Sequence, residues 1–128
     1  SRPSHASTRL RYWNSRRTGS FEVRLLLDEC VPKRLRRDLG AHHVRTVPEM
    51  GWAARRNGDL LALAEQDFDV LVTVDRKLPY QQLIPGRAIA VVVLLATRNK
   101  LEFIRPLIPQ VEQVLQDIQP GEVREIRG

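Results

Sequence analysis

Short, nearly unbroken apolar runs alternate along this chain with longer segments in which apolar residues recur every three or four positions. The runs VRLLL, DVLVTV and AIAVVVLL suit strands buried on both faces, as in a parallel sheet. The other segments suit helices with one apolar stripe, so the pattern predicts a layered βαβ domain. The first strand is expected over residues 23–27, followed by a helix that starts at Pro32 and ends at Gly40. HHVRTV, residues 42–47, is a second strand, and the loop PEMGWAARRNG follows it with two glycines and a proline as breakers. Asn57 is placed to cap a helix carrying Leu60, Leu61, Ala64 and Phe68 on one face. A strand over residues 69–74 leads into the turn-rich RKLPYQQLIPG, and the most apolar strand, residues 88–95, is expected at the sheet centre. Ile104, Leu107, Ile108, Val111, Leu115 and Ile118 then stripe a last helix, with Pro106 and Pro109 in its first turns. EVREI closes the pattern as an edge strand whose charges discourage edge-to-edge pairing.

Length and charge sharpen this picture. With 128 residues the chain suffices for one core and is too short for two ordinary domains. Its formal charge of +6 suggests a polyanionic partner until the distribution is considered. Residues 1–20 hold Arg2, Arg9, Arg11, Arg16 and Arg17 and no acid, which leaves sixteen bases against fifteen acids in the remainder. We expect residues 1–20 to be a disordered basic leader or an appended extension, and residues 21–128 to form the domain. No apolar run reaches the ~20 residues of a membrane-spanning helix. Cys30 is the single cysteine, so no disulfide can form within one chain, and a reducing cytoplasm is the expected setting.

Ligands of open parallel sheets bind beyond the carboxyl ends of the strands, so acids directly after apolar runs are the first candidates. Asp28 and Glu29 end the first run, Asp75 ends the run VLVTV, and Asp59 opens the helix between them. Each has a simpler reading: Asp75 as a turn former, Asp59 as an acid favouring the helix dipole. Asp28 falls outside the capping position set by Pro32. Clustered carboxylates repel unless a cation joins them, which points to a hard divalent ion with oxygen ligands. Trp52 and Tyr80 lie in the loops expected to flank these acids, where a ring could stack an unpaired base or close the core margin. Arg55 and Arg56 could meet phosphates or water. His42 and His43 lack ligand spacing, and Cys30 is read as a small buried residue.

LLLDECVP, NGDLLALAEQ and VLVTVDR, in this order and spacing, resemble the PIN-like domain family related to VapC-type toxins, over residues 23–126. The resemblance implies a three-layer α/β/α sandwich with a mostly parallel central sheet and a Mg²⁺- or Mn²⁺-dependent endoribonuclease. It implies that the metal and catalytic acids are Asp28, Asp59 and Asp75. The partners implied are single-stranded or structured RNA, an antitoxin protein or a second copy of the chain, in the cytoplasm and without a membrane.

Lys77 stands where many PIN domains carry a further acid, which weakens the case for a second metal and leaves Glu29 as the nearest substitute ligand. A single metal could still serve cleavage, with Lys77 or Arg76 balancing phosphate charge. The same substitution leaves a catalytically inactive PIN-like interaction module open as the alternative. An acidic pair after the first strand and an Asp 47 residues on also resemble a receiver-like phosphoacceptor site. That reading lacks a lysine after a further strand, since the lysines are Lys33, Lys77 and Lys100.

Overall fold

The computed structural model describes residues 23–40 and 42–127, so the leader expected over residues 1–20 lies outside the described residues. Five strands form one sheet in the order β2-β1-β3-β4-β5: β1 (Arg24–Leu27), β2 (His43–Thr46), β3 (Val70–Thr73), β4 (Ala90–Leu95) and β5 (Val123–Arg127). All four pairings are parallel, so the described domain is an α/β fold with an entirely parallel sheet. β3 and β4 are buried at every position, as their continuous apolar sequence demands, whereas edge strand β2 alternates exposed and buried residues.

Side-chain alternation divides the core between the two faces of the sheet. Leu25, Leu27, Val70, Val72 and Val92 face α1 (Leu35–Asp38), α4 (Leu101–Ile104) and the later α5 (Ile108–Leu115). Leu26, Leu71, Val91 and Val93 face α2 (Asn57–Asp67) and α3 (Leu78–Gln81). On α2 the expected stripe is the buried one: Leu60, Leu61, Ala64 and Phe68 all pack into this second cluster. Full burial of such side chains contributes about 1.5–3 kcal/mol each for the larger ones, which holds α2 on the sheet although its ends carry no side-chain cap.

The helices differ from the sequence reading in four places, the first being the helical turn α3 within the segment expected to be turn-rich. The segment after Pro32 closes through i+3 bonds, Leu35 to Pro32 and Arg36 to Lys33, before a single α-turn forms, because Leu35 and Leu39 are its only deep apolar anchors. Arg56, in an extended conformation, holds the cap position of α2, and Asn57 is the first helical residue. The last helix is interrupted at Arg105–Leu107 by a 3₁₀ turn containing Pro106, whose missing N–H and ring disfavour a continuous α-ladder. β5 is an edge strand, as its charges suggest, and pairs with β4 from Val91↔Val123 to Leu95↔Arg127. No described helix is long and apolar enough to cross a membrane.

Candidate functional site

The connection from β1 runs to β2 on one side, while that from β3 runs to β4 on the other. The sheet order therefore reverses between β1 and β3, the place where doubly wound sheets bind ligands beyond their carboxyl ends. Asp28 follows β1 there, and Asp75 follows β3 with Val74 between. Parallel register, Leu26↔Leu71 and Leu27↔Val72, continues to set Asp28 against Thr73 at the rim.

Asp28 is only 8% exposed. Its backbone N–H donates to Val72 O at 2.9 Å, extending the β1–β3 ladder by one residue. Its Oδ1 accepts the Glu29 N–H at 2.8 Å, and its Oδ2 accepts the Thr73 hydroxyl at 2.8 Å and the Cys30 thiol at 3.6 Å. All of these donors are neutral. Among the described residues no cation pairs with Asp28, so a buried carboxylate is held by dipoles alone.

Thr73 joins the two acids. Its Oγ1 accepts the Asp75 N–H at 3.1 Å while its hydroxyl donates to Asp28. Asp75 Oδ1 in turn accepts the Lys77 N–H at 2.9 Å, an Asx-type turn that aims the chain into α3 and leaves Oδ2 without a partner among the described residues. Glu29 Oε1 accepts the Ala54 N–H at 3.1 Å, which ties the loop after β2 to the loop after β1. Ala54 has φ 70°, a left-handed conformation that costs a non-glycine residue on the order of 1 kcal/mol, and the Glu29 bond helps to hold it. From the β4 side, Asn99 Nδ2 donates to Cys30 O at 2.6 Å.

These loops enclose a cavity of about 360 Å³ whose walls include Asp28, Glu29, Asp75, Cys30, Arg55 and Leu60. Burial in this wall pushes the Cys30 thiol up from its ordinary value, with hydrogen bonds from Val74 and Thr73 acting in the opposite sense and the Asp28 charge adding to the rise. Cys30 is therefore a neutral thiol at pH 7 and a poor nucleophile.

Of the residues singled out in the sequence, Asp28, Glu29, Asp75 and Arg55 meet around this cavity. Asp59 is exposed in the first turn of α2, and the neighbouring Leu60 forms the wall. Arg76 and Lys77 are exposed beside Asp75. Trp52 is half-buried with its ring edge-on to Phe68, centroids 6.1 Å apart, at the margin of the α2 core. Tyr80 is 83% exposed and lines a separate cavity with Val123 and Glu125. Thr73 and Asn99 were not singled out in the sequence. For Thr73 the available signal was a hydroxyl residue two positions before Asp75, on the same face of the strand.

Among the described residues no three of His, Cys, Asp and Glu are gathered as a ready-made metal cage. The donor set nevertheless fits Mg²⁺, which commonly binds through one or two carboxylates, keeps several waters and takes further ligands from substrate phosphates. Asp75 Oδ2, unpartnered among the described residues, and the spare lone pairs of Asp28 are oxygen donors of the right kind. No family model, curated protein or solved structure matches the chain.

Proposed function

We propose that this chain is a metal-dependent endoribonuclease of the PIN-like group, with the three-layer α/β/α arrangement that the sequence resemblance implies. The observation that carries this reading is Asp28: a buried carboxylate with no cation partner among the described residues, joined through Thr73 to Asp75 at the switch point of a parallel sheet. Such uncompensated charge is costly, and a divalent cation with phosphate ligands would relieve it.

A Mg²⁺ or Mn²⁺ ion held by Asp28 and Asp75, with Glu29 as an additional ligand, would supply Lewis acidity toward a phosphoryl oxygen and a more acidic bound water. Thr73 and the Glu29 N–H fix the rotamer of Asp28, so the carboxylate need not reorganise during the reaction. Asp75 Oδ2, the oxygen that would hold the ion, would also accept a hydrogen bond from the attacking water through its remaining lone pair and so orient it. That water would form a new P–O bond and release its proton to solvent, while the bond to one ribose oxygen breaks and that oxygen takes up a proton from solvent. Arg55, Arg76 and Lys77 would balance phosphate charge at the mouth of the site. Asp59, exposed beside Leu60, would act at its outer margin.

Mn²⁺-dependent cleavage of single-stranded RNA, abolished in Asp75→Asn, tests the proposal. Asn preserves the turn acceptor for Lys77 while removing the charge. Failure of the wild-type protein to cleave RNA with Mn²⁺, together with a melting temperature that Mn²⁺ does not raise, would favour the inactive interaction module, with an antitoxin or a second copy as its partner.

The sheet order keeps a second reading in view. The order 2-1-3-4-5 is shared by receiver domains, in which an aspartate after β3 accepts phosphate. Here the strand after β4 ends in Arg127, not lysine. Incubation with acetyl phosphate and Mg²⁺, followed by intact-mass measurement, would show an added phosphate if this reading held.

A further inference from the structure

We propose that the exposed basic face of residues 33–37, with the end of β2, forms a phosphate-binding groove that seats the backbone of a single-stranded RNA leading into the Asp28–Asp75 cavity. The inference rests on the nuclease reading for its substrate class, but its own support lies elsewhere in the molecule. A cavity of about 570 Å³ is lined by Lys33, Arg34, Arg36, Arg37, Thr46 and Glu49 among others. All four of these basic residues are exposed.

Their bonding separates two roles. Arg36 Nη2 donates to Val44 O at 3.2 Å, on edge strand β2, and to Glu49 Oε1 at 2.6 Å. Glu49 also meets Arg45 at 3.4 Å and accepts the Thr46 N–H at 2.8 Å. Glu49, the one acid among the described residues lining the cavity, is thus engaged by two arginines and a backbone donor, and its carboxyl is held below the usual range by the Thr46 N–H first and Arg36 next. Lys33, Arg34 and Arg37 have no acidic partner among the described residues. Arg36 and Glu49 build the wall, while three cations stand free on it.

Position makes these charges relevant to the cavity at the switch point. Thr46 lies opposite Leu27 in the β1–β2 register, one residue before Asp28, so both cavities open on the carboxyl rim. Asp28, Glu29 and Cys30 wall one cavity, and Lys33 and Arg34, a few residues on in the same segment, wall the other. From β2 to β3 there are two strand spacings, roughly 10 Å. A flexible single strand can bridge that distance with neighbouring phosphates. The cations balance its charge on one side and leave the acidic side to metal and scissile phosphate.

The experiment compares the full chain with Lys33→Gln/Arg34→Gln/Arg37→Gln and with an equal-charge control, Arg105→Gln/Arg124→Gln/Arg127→Gln. Binding of a fluorescent 12-mer oligouridine is followed by anisotropy in EDTA over a salt series. Three lost phosphate contacts should lower the slope of log K against log salt by about 2 in the first variant and by much less in the control. Melting temperatures of all three proteins confirm that each is folded. An unchanged slope in the first variant, or an equal fall in the control, overturns the groove; so does a variant that loses affinity for polyglutamate but keeps affinity for RNA, which would mark a protein-binding face. EDTA removes any dependence on catalysis, so a fallen slope without Mn²⁺-dependent cleavage sustains the groove and defeats the nuclease reading. Cleavage by the variant with wild-type KM does the reverse.

Discussion

The two ends of this parallel sheet treat buried acids in opposite ways. At the amino end, Asp69 is 1% exposed, and its carboxylate accepts from Arg24 three times: from the backbone N–H at 3.0 Å, Nε at 3.5 Å and Nη2 at 3.2 Å. His42, with 1% of its side chain exposed, is likewise satisfied there: Nδ1 accepts the Val23 N–H at 3.2 Å, so Nε2 carries the hydrogen donated to Glu112 at 2.6 Å. At the carboxyl end, Asp28 is nearly as buried as Asp69 yet has only neutral donors among the described residues, where Asp75 and Glu29 beside it have no cation either. Each acid flanks a buried strand by one residue, Asp69 before β3 and Asp28 after β1; what differs is whether the fold supplies the counter-charge. Where it does, the acid fastens the sheet. Where it does not, the carboxyl group is held by neutral hydrogen-bond donors and no described cation reaches it.

Catalysis should break the symmetry most strongly. With RNA and Mn²⁺, Asp28→Asn is expected to lower cleavage at least a hundredfold, on the order of 3 kcal/mol of barrier, while leaving metal-free stability within about 1 kcal/mol. Thermal melts should show Mn²⁺ raising the wild-type midpoint and not that of the variant. An equal metal response in both proteins would remove Asp28 from the proposed site.

The reverse profile is expected at the amino end. Asp69→Ala strands Arg24 and the backbone donor it shared, which should cost about 2–3 kcal/mol; the partial exposure of Arg24 keeps the loss below that of a fully buried pair. For a domain of this size that is roughly 10 °C in melting temperature, and the response to Mn²⁺ should persist. If Asp69→Ala and Asp28→Asn destabilise equally, the contrast between the two rims fails.

Asp75 sharpens the comparison because it is both a turn former and a candidate ligand. Asp75→Asn keeps the acceptor for Lys77 and removes a charge next to Asp28, so stability without metal should be unchanged or higher by up to ~1 kcal/mol. Asp75→Ala loses the acceptor and should fall below Asp75→Asn by about 0.5–1 kcal/mol in urea denaturation. A reversed order would mean that the charge at this position stabilises the metal-free fold.

The smallest effect is a pH dependence. Burial raises the Cys30 pKa above its ordinary 9.0, so the folded state holds the thiol proton more tightly than the unfolded state. Its contribution is fully present below pH 9 and is lost as pH rises through the folded-state value. Melts between pH 8 and pH 10 should show a steeper decline for wild type than for Cys30→Ser. Glu49 works in the opposite sense: its lowered pKa contributes above the ordinary 4.5 and is lost as pH falls through the folded-state value. Glu49→Gln should therefore flatten the acid limb of the same profile.

Much of this molecule was determined by local pattern. Continuous apolar runs placed β1, β3 and β4 to within one or two residues, because a strand covered on both faces has no polar positions to spare. The stripe Leu60, Leu61, Ala64 and Phe68 set the buried face of α2, and the charges of EVREI marked an edge. Acids at strand ends were visible as candidates for the same reason: the apolar run stops where the chain leaves the sheet. What only the tertiary structure decided was which of them meet. Parallel register aligned Asp28 with Thr73 and brought Asp75 to the same cavity, and it put Arg24 against Asp69 across 45 residues of sequence. Asp59 and Leu60 are neighbours in sequence, yet helix phase turns Leu60 to the cavity and leaves Asp59 in solvent. Composition and periodicity report the burial of a residue, because burial acts on each side chain separately. Pairing depends on strand order and register, which are properties of the whole sheet.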